Sequence, residues 1–566
     1  MQKKVFSFIR PYKKECIAAP FFKLLEAVFE LLVPLVVASI IDKGIAFGNM
    51  SYTLRMTGLL LVLALTGLVF SITAQYFSAR SASLFARDLR AALFNHILSF
   101  SKKEMEDFGS STLITRMNGD MNMVQSGFNL TLRLLLRSPF VVFGAAVMAF
   151  IVSPAASLIF FISIALLSII IAILLRLSIK RFRLVQEKLD SVTAVTKENI
   201  DGNRVIRAFS LEDNEKRRFD EENTMMKNFQ LFSSRVSSLT SPLTSLVINL
   251  AIIALIYFGA INVDIGNLTQ GQVIALINYM SQILVELIKL ANLIISISKA
   301  LASASRIEKV FSVSPTMSFG TLSSFSGEDA ITFSHVCFSY NGKNDVLKDI
   351  SFSVKKGMSV GIIGGTGSGK STLALLISRL YDRGSGSIML FGKDIKEYSQ
   401  EFLRSRISFA AQKARLFSGS IKSNLDFASG SVPYSEALHL SCAEEFVEKK
   451  GLDAPLDRNA GNLSGGQRQR LSLARALMKK ADIIILDDTF SALDYKTDLE
   501  LRRNLSTLDA TKIIISQRVK SIADSDMILV LDNGALVSSG THDELLSTSS
   551  FYREIYNSQT KEEENV

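Results

Sequence analysis

Gly364-Gly365-Thr366-Gly367-Ser368-Gly369-Lys370-Ser371-Thr372 sets a lysine and two hydroxyl residues directly behind a glycine-rich loop. The run fits the phosphate-binding pattern of Gly, four residues, then Gly-Lys-Ser. Glycines let backbone N–H groups close around a phosphate, and the positive dipole end of the following helix favours the anion. An apolar strand (Ser359–Ile363) ahead and a helical run (Thr372–Leu380) behind supply the context that such a match requires. Lys370 is expected to reach the β- and γ-phosphates of a nucleotide, and the Ser371 hydroxyl to ligate Mg²⁺.

Two further segments offer related chemistry. Ile483-Ile484-Ile485-Leu486 reads as a strand ending in Asp487, placed to hold Mg²⁺ through water as the acidic residue of this strand does in phosphate-loop NTPases. Alone, such an Asp is equally a turn residue, and its neighbours make it a metal-site candidate. Leu463-Ser464-Gly465-Gly466-Gln467 opens a helix expected to continue through Leu471–Lys479, which presents another set of N–H groups to a phosphate.

The elements that position these residues belong to the second of two parts. The chain has 566 residues, is 48% hydrophobic and 20% charged, and carries a net charge of +10. Its basic residues cluster beside apolar spans, which favours a membrane surface, and no nucleic-acid partner is expected. Six stretches, roughly 17–41, 54–78, 128–152, 156–178, 238–262 and 272–297, reach the 20 or so apolar residues that cross a bilayer. The connectors Val152–Ala155 and 262–271 hold no Lys or Arg. Those at 79–127 and 179–237 hold many, including Arg87, Arg90, Lys102, Lys103, Arg181, Arg183, Arg204, Arg207 and Arg217. The positive-inside rule then puts the long connectors and both termini in the cytoplasm.

Those two connectors have helical periodicity. Each is expected to be a pair of extensions about 24 residues long that project roughly 35 Å. The turning points are placed at Asp107-Phe108-Gly109 and Asp201-Gly202-Asn203. A six-helix all-α membrane domain is thus expected over 1–312, a Ser- and Gly-rich linker over 313–329, and an α/β domain over 330–566, opening with a strand at Ala330–Ser339. Cys16, Cys337 and Cys442 lack metal-ligand spacing, so no disulfide framework or metal site is expected of them. The basic, amphipathic start Met1–Arg10 lacks the apolar core of a cleaved signal and is expected to lie along the inner membrane surface.

With Leu463–Arg470 added to the phosphate loop and six spans, the whole chain resembles an ATP-binding cassette (ABC) transporter, in the layout of a type I exporter half. The resemblance implies ATP and Mg²⁺ as cofactors and a plasma-membrane location. It assigns Tyr340 to the adenine. It assigns Gln412, ahead of Leu416-Phe417-Ser418-Gly419, to the metal and to coupling with the stalks. Ser491-Ala492-Leu493-Asp494 matches the loop that crosses the dimer interface. Two cassettes of this family sandwich two ATPs, each between one subunit's phosphate loop and the other's LSGGQ segment.

Two positions depart from the family pattern. Asp488 stands where a Glu orients or deprotonates the attacking water, and Gln517, in Ile515-Ser516-Gln517-Arg518, stands where a His contacts the γ-phosphate. Asp is one methylene shorter, which withdraws its carboxylate by roughly 1.5 Å. Gln517 can donate a hydrogen bond but cannot relay a proton. None of His96, His335, His439 and His542 falls in that segment. With the binding motifs kept, the pattern is similar to the degenerate-site subunit of heterodimeric bacterial multidrug exporters. It implies a non-identical partner half carrying Glu and His there. An ordinary homodimer in which the Asp serves is the alternative. The implied cargo is a small amphipathic compound, with lipid, porphyrin or peptide export, uptake of metal chelates, or a non-pumping ATP-gated channel as alternatives.

Charges inside spans point inward, because they are costly in lipid. Lys23, Glu26, Glu30, Arg133, Arg137, Glu286 and Lys289 lie at helical spacings. Near balance of acids and bases favours ion pairs that set helix register over a carboxylate-lined site for cationic cargo. Phe140, Phe143 and Phe258 are candidates for an apolar cavity lining or for lipid contact.

Overall fold

The computed structural model describes residues 3–563 apart from Ser326, Ser429, Ser431 and Ala492. Within it, six helical stretches are long and apolar enough to cross a membrane: Lys4–Ile45, Met50–Leu98, Ser110–Val152, Pro154–Leu174, Ser241–Asp264 and Gln270–Ser312. Helices are the solution because backbone N–H and C=O groups in hydrocarbon must pair within their own segment. Several outrun the bilayer. Met50–Leu98 is one helix of 49 residues and Pro154–Asp201 one of 48. At 1.5 Å per residue each is about 70 Å long, more than twice an apolar core of about 30 Å.

The third span, expected over 128–152, is found within Ser110–Val152 and is interrupted. Met121–Leu134 and Arg137–Val152 are separate helices, with turns at Leu135 and Leu136. Pro139 explains the break: it has no N–H for the Leu135 carbonyl, and its ring crowds that oxygen. The core of this bundle joins Ala27 and Leu31 of the first span to Val141, Ala145 and Ala149 of the third and to Tyr279, Met280 and Ile283 of the sixth. Small residues permit the close approach. Gly127 against Ala300 leaves no room for a Cβ, and at Gly144 a Cβ would have to displace the tip of the Leu31 side chain. At the N-terminus, Val5 is fully buried, and its N–H donates to Glu308 Oε2 at 3.0 Å.

The long connectors turn through short helices. Lys102–Phe108 ends at Gly109, at φ 74°, and Asn203–Ala208 stands between Pro154–Asp201 and Glu212–Ser238. The chain forms two compact units, one holding the chain to Leu98 and Ser110–Val313, the other Ser99–Gly109 and the chain from Ser314 on. Ser99–Gly109 therefore groups with the second unit, where Glu104 accepts from Ser101 N at 2.6 Å and Thr316 Oγ1 at 2.5 Å.

The second unit has a six-stranded sheet in the order Ala535–Gly540, Met527–Asp532, Ser359–Gly364, Thr511–Ile515, Ile483–Asp487, Ile407–Ala410. All pairs are parallel except the first. Strands covered on both faces read as unbroken apolar runs, as Ile483–Leu486 and Ile513–Ile515 do. A smaller antiparallel sheet orders Leu347–Lys355, Asp329–Phe338, Ser385–Leu390 and Lys393–Asp394. Register is what matters for chemistry. Ile515 pairs with both Asp487 and Ile362, so three strands end level and send their loops out at one edge. Ligands of open parallel sheets bind at such carboxyl-end edges.

Candidate functional site

The first loop at that edge is the glycine-rich one. Gly369, at φ 99°, is the N-cap of the helix Lys370–Ile377, and a Cβ there would strike the Leu347 side chain. Only glycine meets both conditions easily. The Lys370 ammonium folds back into the loop and donates to Gly364 O at 2.8 Å and Gly365 O at 2.7 Å. Burial lowers the Lys370 pKa, against the pull of Asp488 and Asp487. A buried ammonium whose acceptors are neutral carbonyls is ready to exchange them for phosphate oxygens.

Asp487 ends the neighbouring strand and accepts a hydrogen bond from Ser371 Oγ at 3.0 Å. It is 6% exposed. Burial raises its pKa, the Ser371 hydrogen bond opposes that, and the nearby Asp488 charge adds to it. A hydroxyl and a carboxylate side by side are hard oxygen donors that fit Mg²⁺ held jointly with substrate phosphates. Ser371, Asp487 and, one residue removed, Gln412 would hold that ion. When bound, it would neutralise charge on the phosphates.

Asp488 leaves the strand in the left-handed region, at φ 51°. Its N–H donates to Ile515 O at 2.9 Å, and its carbonyl accepts from Ser491 Oγ at 2.9 Å. The carboxylate accepts from Gln412 Nε2 at 3.2 Å. The fold therefore brings Lys370, Ser371, Asp487, Asp488 and Gln412 to one edge. Gln517 emerges from the adjacent strand and is exposed. Its backbone is clamped by a residue the sequence reading missed. Gln559 Nε2 donates to Gln517 O at 2.7 Å, and Gln559 Oε1 accepts from Val519 N at 2.9 Å. No motif marks Gln559; only its position in the final helix, Ser550–Glu563, makes it matter. His542 is engaged elsewhere, with Nδ1 2.7 Å from the Tyr552 hydroxyl.

Tyr340 lies over the start of the phosphate-loop helix, with its hydroxyl 3.0 Å from Thr372 Oγ1. It packs edge-on against Phe338 at 4.9 Å and Tyr381 at 5.1 Å. Burial raises the pKa of both tyrosines. The Tyr381 hydroxyl donates to Glu106 on Lys102–Phe108. The aromatic seat thus touches the connector helix through one intermediary, another link no motif announced. A cavity of about 240 Å³ opens beside it, lined by Tyr340, Tyr381, Lys103 and Arg383.

Ser464 caps the helix Gly465–Leu477. Its Oγ accepts from Gln467 N at 3.2 Å, and its own N–H donates to Gln467 Oε1 at 3.1 Å. Gly465 is exposed with open space around it, and Gly466 follows on the same helix tip. Among the described residues, no hydrogen bond joins Ser464–Gln467 to the Gly364–Thr372 loop, which also includes Thr366, Gly367 and Ser368. Asp494 caps Tyr495–Ser506 by accepting from Thr497 N at 3.2 Å, and Ala492 lies outside the described residues.

In the membrane unit the charges pair both within and across spans. Arg137 Nη2 lies 2.5 Å from Glu30 Oε2, and Arg137 Nη1 bonds Glu286. Ser138 Oγ donates to Glu286 at 2.7 Å, Lys289 to Glu286 at 2.8 Å and Lys23 to Glu26 at 2.5 Å. Ion pairing, one of the two readings of these residues, is seen for all of them except Arg133, whose Nε is buried without a hydrogen-bond partner among the described residues.

Comparison with known proteins agrees with this geometry. A family described as ABC transporter transmembrane region matches residues 16–287, and one described as ABC transporter matches residues 347–491. An uncharacterized ABC transporter ATP-binding protein of Mycobacterium tuberculosis is 33% identical, over 98% of this chain and 97% of its own length. The uncharacterized ABC transporter ATP-binding protein YfiB of Bacillus subtilis is 34% identical, over 98% of each. An ATP-dependent lipid A-core flippase of Haemophilus ducreyi is 30% identical, over 99% of this chain and 98% of its own. A solved bacterial Atm1-family ABC exporter with ATP bound superposes with a TM-score of 0.81 at 21% identity, covering 97% of this chain and 98% of that one. The fold is that of type I exporters.

Proposed function

Because the chain belongs to the ABC transporter family, as a multi-pass exporter half with one ATP-binding cassette, we propose that it pairs with a non-identical half to drive ATP-dependent efflux. In this reading its own site holds ATP but hydrolyses it slowly, and its Ser464–Gln467 helix tip completes the partner's site. One observation carries it. At an edge where Lys370, Ser371 and Asp487 are set for nucleotide and Mg²⁺, the acid next in line is the short Asp488. A carboxylate set back by roughly 1.5 Å exceeds the misplacement of about 1 Å that costs around 10²-fold in rate. Gln517 offers an amide where a proton-relaying His is expected, which deepens the loss.

The Ser464 tip fits division of labour. A half whose own site is slow still needs this open helix end to complete the partner's site, as each half of a homodimer also would. ATP binding would close the two cassettes and turn the cavity outward, and hydrolysis at the partner's site would reset it. The intact ATP in this chain's site biases the pair toward partial contact. The test is ATPase turnover of the purified chain, alone and with its partner. Weak turnover alone and robust turnover in the pair support the proposal. Robust turnover alone, abolished by Asp488→Asn, overturns it.

The cargo is an amphipathic compound of the multidrug type. Lipid export is the second reading, favoured by likeness to the lipid A-core flippases along nearly the whole chain.

A further inference from the structure

Four charged side chains of the membrane unit form a run of alternating sign, Glu30, Arg137, Glu286 and Lys289, from which Arg137 branches to Glu26 at 4.0 Å, itself paired with Lys23. The inner two are buried, at 7% and 3% side-chain exposure, and each has an opposite charge on both sides. The end members keep 40% and 42% of their side chains exposed, and each has an opposite charge on one side only. Both ends line one cavity of about 450 Å³, whose wall also includes Asn278, Gln282, Val33 and Val285.

The unfinished ends define what fits. A charge in a low-dielectric bundle gains most from a counter-charge where water is scarce. Glu30 has room for a second cation and Lys289 for a second anion. Gln282 adds demand for a donor, since its Oε1 is buried without one. The valines supply apolar surface beside the polar groups, the mixture that ligand cavities use to orient an amphiphile. A singly charged molecule completes one end and leaves the other as it was. We propose that this cavity is a head-group subsite for a zwitterionic amphiphile, with its ammonium at Glu30 and its phosphate or carboxylate at Lys289. The occupant closes the four-charge run into a ring. This rests on reading the chain as an exporter half and narrows the cargo of that reading.

The test uses three probes with one tail: dodecyl phosphoethanolamine, dodecylamine and dodecyl phosphate. Equilibrium binding to the assembled transporter is measured in an uncharged maltoside detergent without nucleotide. The zwitterion should bind at least tenfold more tightly than either single-charge probe. In Glu30→Gln its affinity should fall to that of dodecyl phosphate, and in Lys289→Gln to that of dodecylamine. Each comparison is made within one preparation, so a misfolded fraction cancels from the ratio. Equal binding of all three probes, no binding of any, or a zwitterion preference that survives both substitutions overturns the subsite. Because binding needs no hydrolysis, those outcomes leave the proposed pairing and slow ATP site to be judged by turnover.

Discussion

The side-chain amide of Gln412 donates to Asp488 Oδ2 across 3.2 Å, tying the acid that would orient an attacking water to the loop ahead of Leu416. Asp488 sits at φ 51°, a backbone region that Asp tolerates better than most residues. Asp488→Glu is therefore expected to cost a little stability and to extend the carboxylate toward the phosphate. Turnover at this chain's own site should rise by roughly 10-fold or more, out of the 10² or so attributed to misplacement. The rate is read in an assembly whose partner site has been disabled. An unchanged rate would show that the shortened acid is not what limits hydrolysis.

Asp487 ties stability to nucleotide binding. Burial holds its pKa above the ordinary 3.8, so the folded cassette keeps this proton longer than the unfolded chain does. Its ionisation then costs stability, increasingly from pH 3.8 upward until the raised folded pKa is passed, and the penalty is fully present above that pKa. Asp487→Asn removes the charge and keeps an acceptor for Ser371 Oγ. Without nucleotide the variant should melt a few degrees higher than the native protein, and ATP with Mg²⁺ should no longer raise its Tm. A lower Tm without nucleotide would contradict the assignment of burial as the dominant effect.

Gln559 clamps the backbone on both sides of Arg518. Gln559→Ala removes two hydrogen bonds, each worth about 1 kcal/mol. Hydrogen exchange at the Val519 amide should accelerate several-fold while the Ile513–Ile515 strand keeps its protection. Equal acceleration across the strand would mean that the helix supports the sheet as a whole and not the Gln517 loop.

Arg137 is the hub of the intramembrane charges. Arg137→Met leaves Glu286 with only Lys289 and Ser138 as partners and leaves Glu30 without its cation, and removing one member of a buried charge network costs up to about 3–5 kcal/mol. The double variant Arg137→Met with Glu286→Gln should recover most of that loss. The comparison is made by thermal unfolding in detergent. A double variant as unstable as the single one would show that packing of the Arg137 side chain matters more than its charge.

Much of the architecture could be read from the chain because its causes are local. Span length announces the six helices, and unbroken apolar runs announce the parallel strands. The glycine-rich loop carries its chemistry within nine consecutive residues, Gly364–Thr372. What escaped the reading depends on contacts between residues far apart. The Tyr381–Glu106 hydrogen bond, which helps to group Ser99–Gly109 with the cassette, spans 275 positions. Gln559 reaches Gln517 across 42. The break at Leu135-Leu136 follows from Pro139, which lies inside a stretch still long enough to cross a bilayer. The spacing of Arg137, Glu30 and Glu286 showed charges that face inward without showing which would pair.

The most direct measurement counts the nucleotides that the assembled transporter retains after a single turnover with radiolabelled ATP. A site that clamps without splitting predicts one intact ATP per assembly, lost when Lys370→Ala is introduced in this chain. Recovery of ADP alone, with no intact ATP held, would contradict the account.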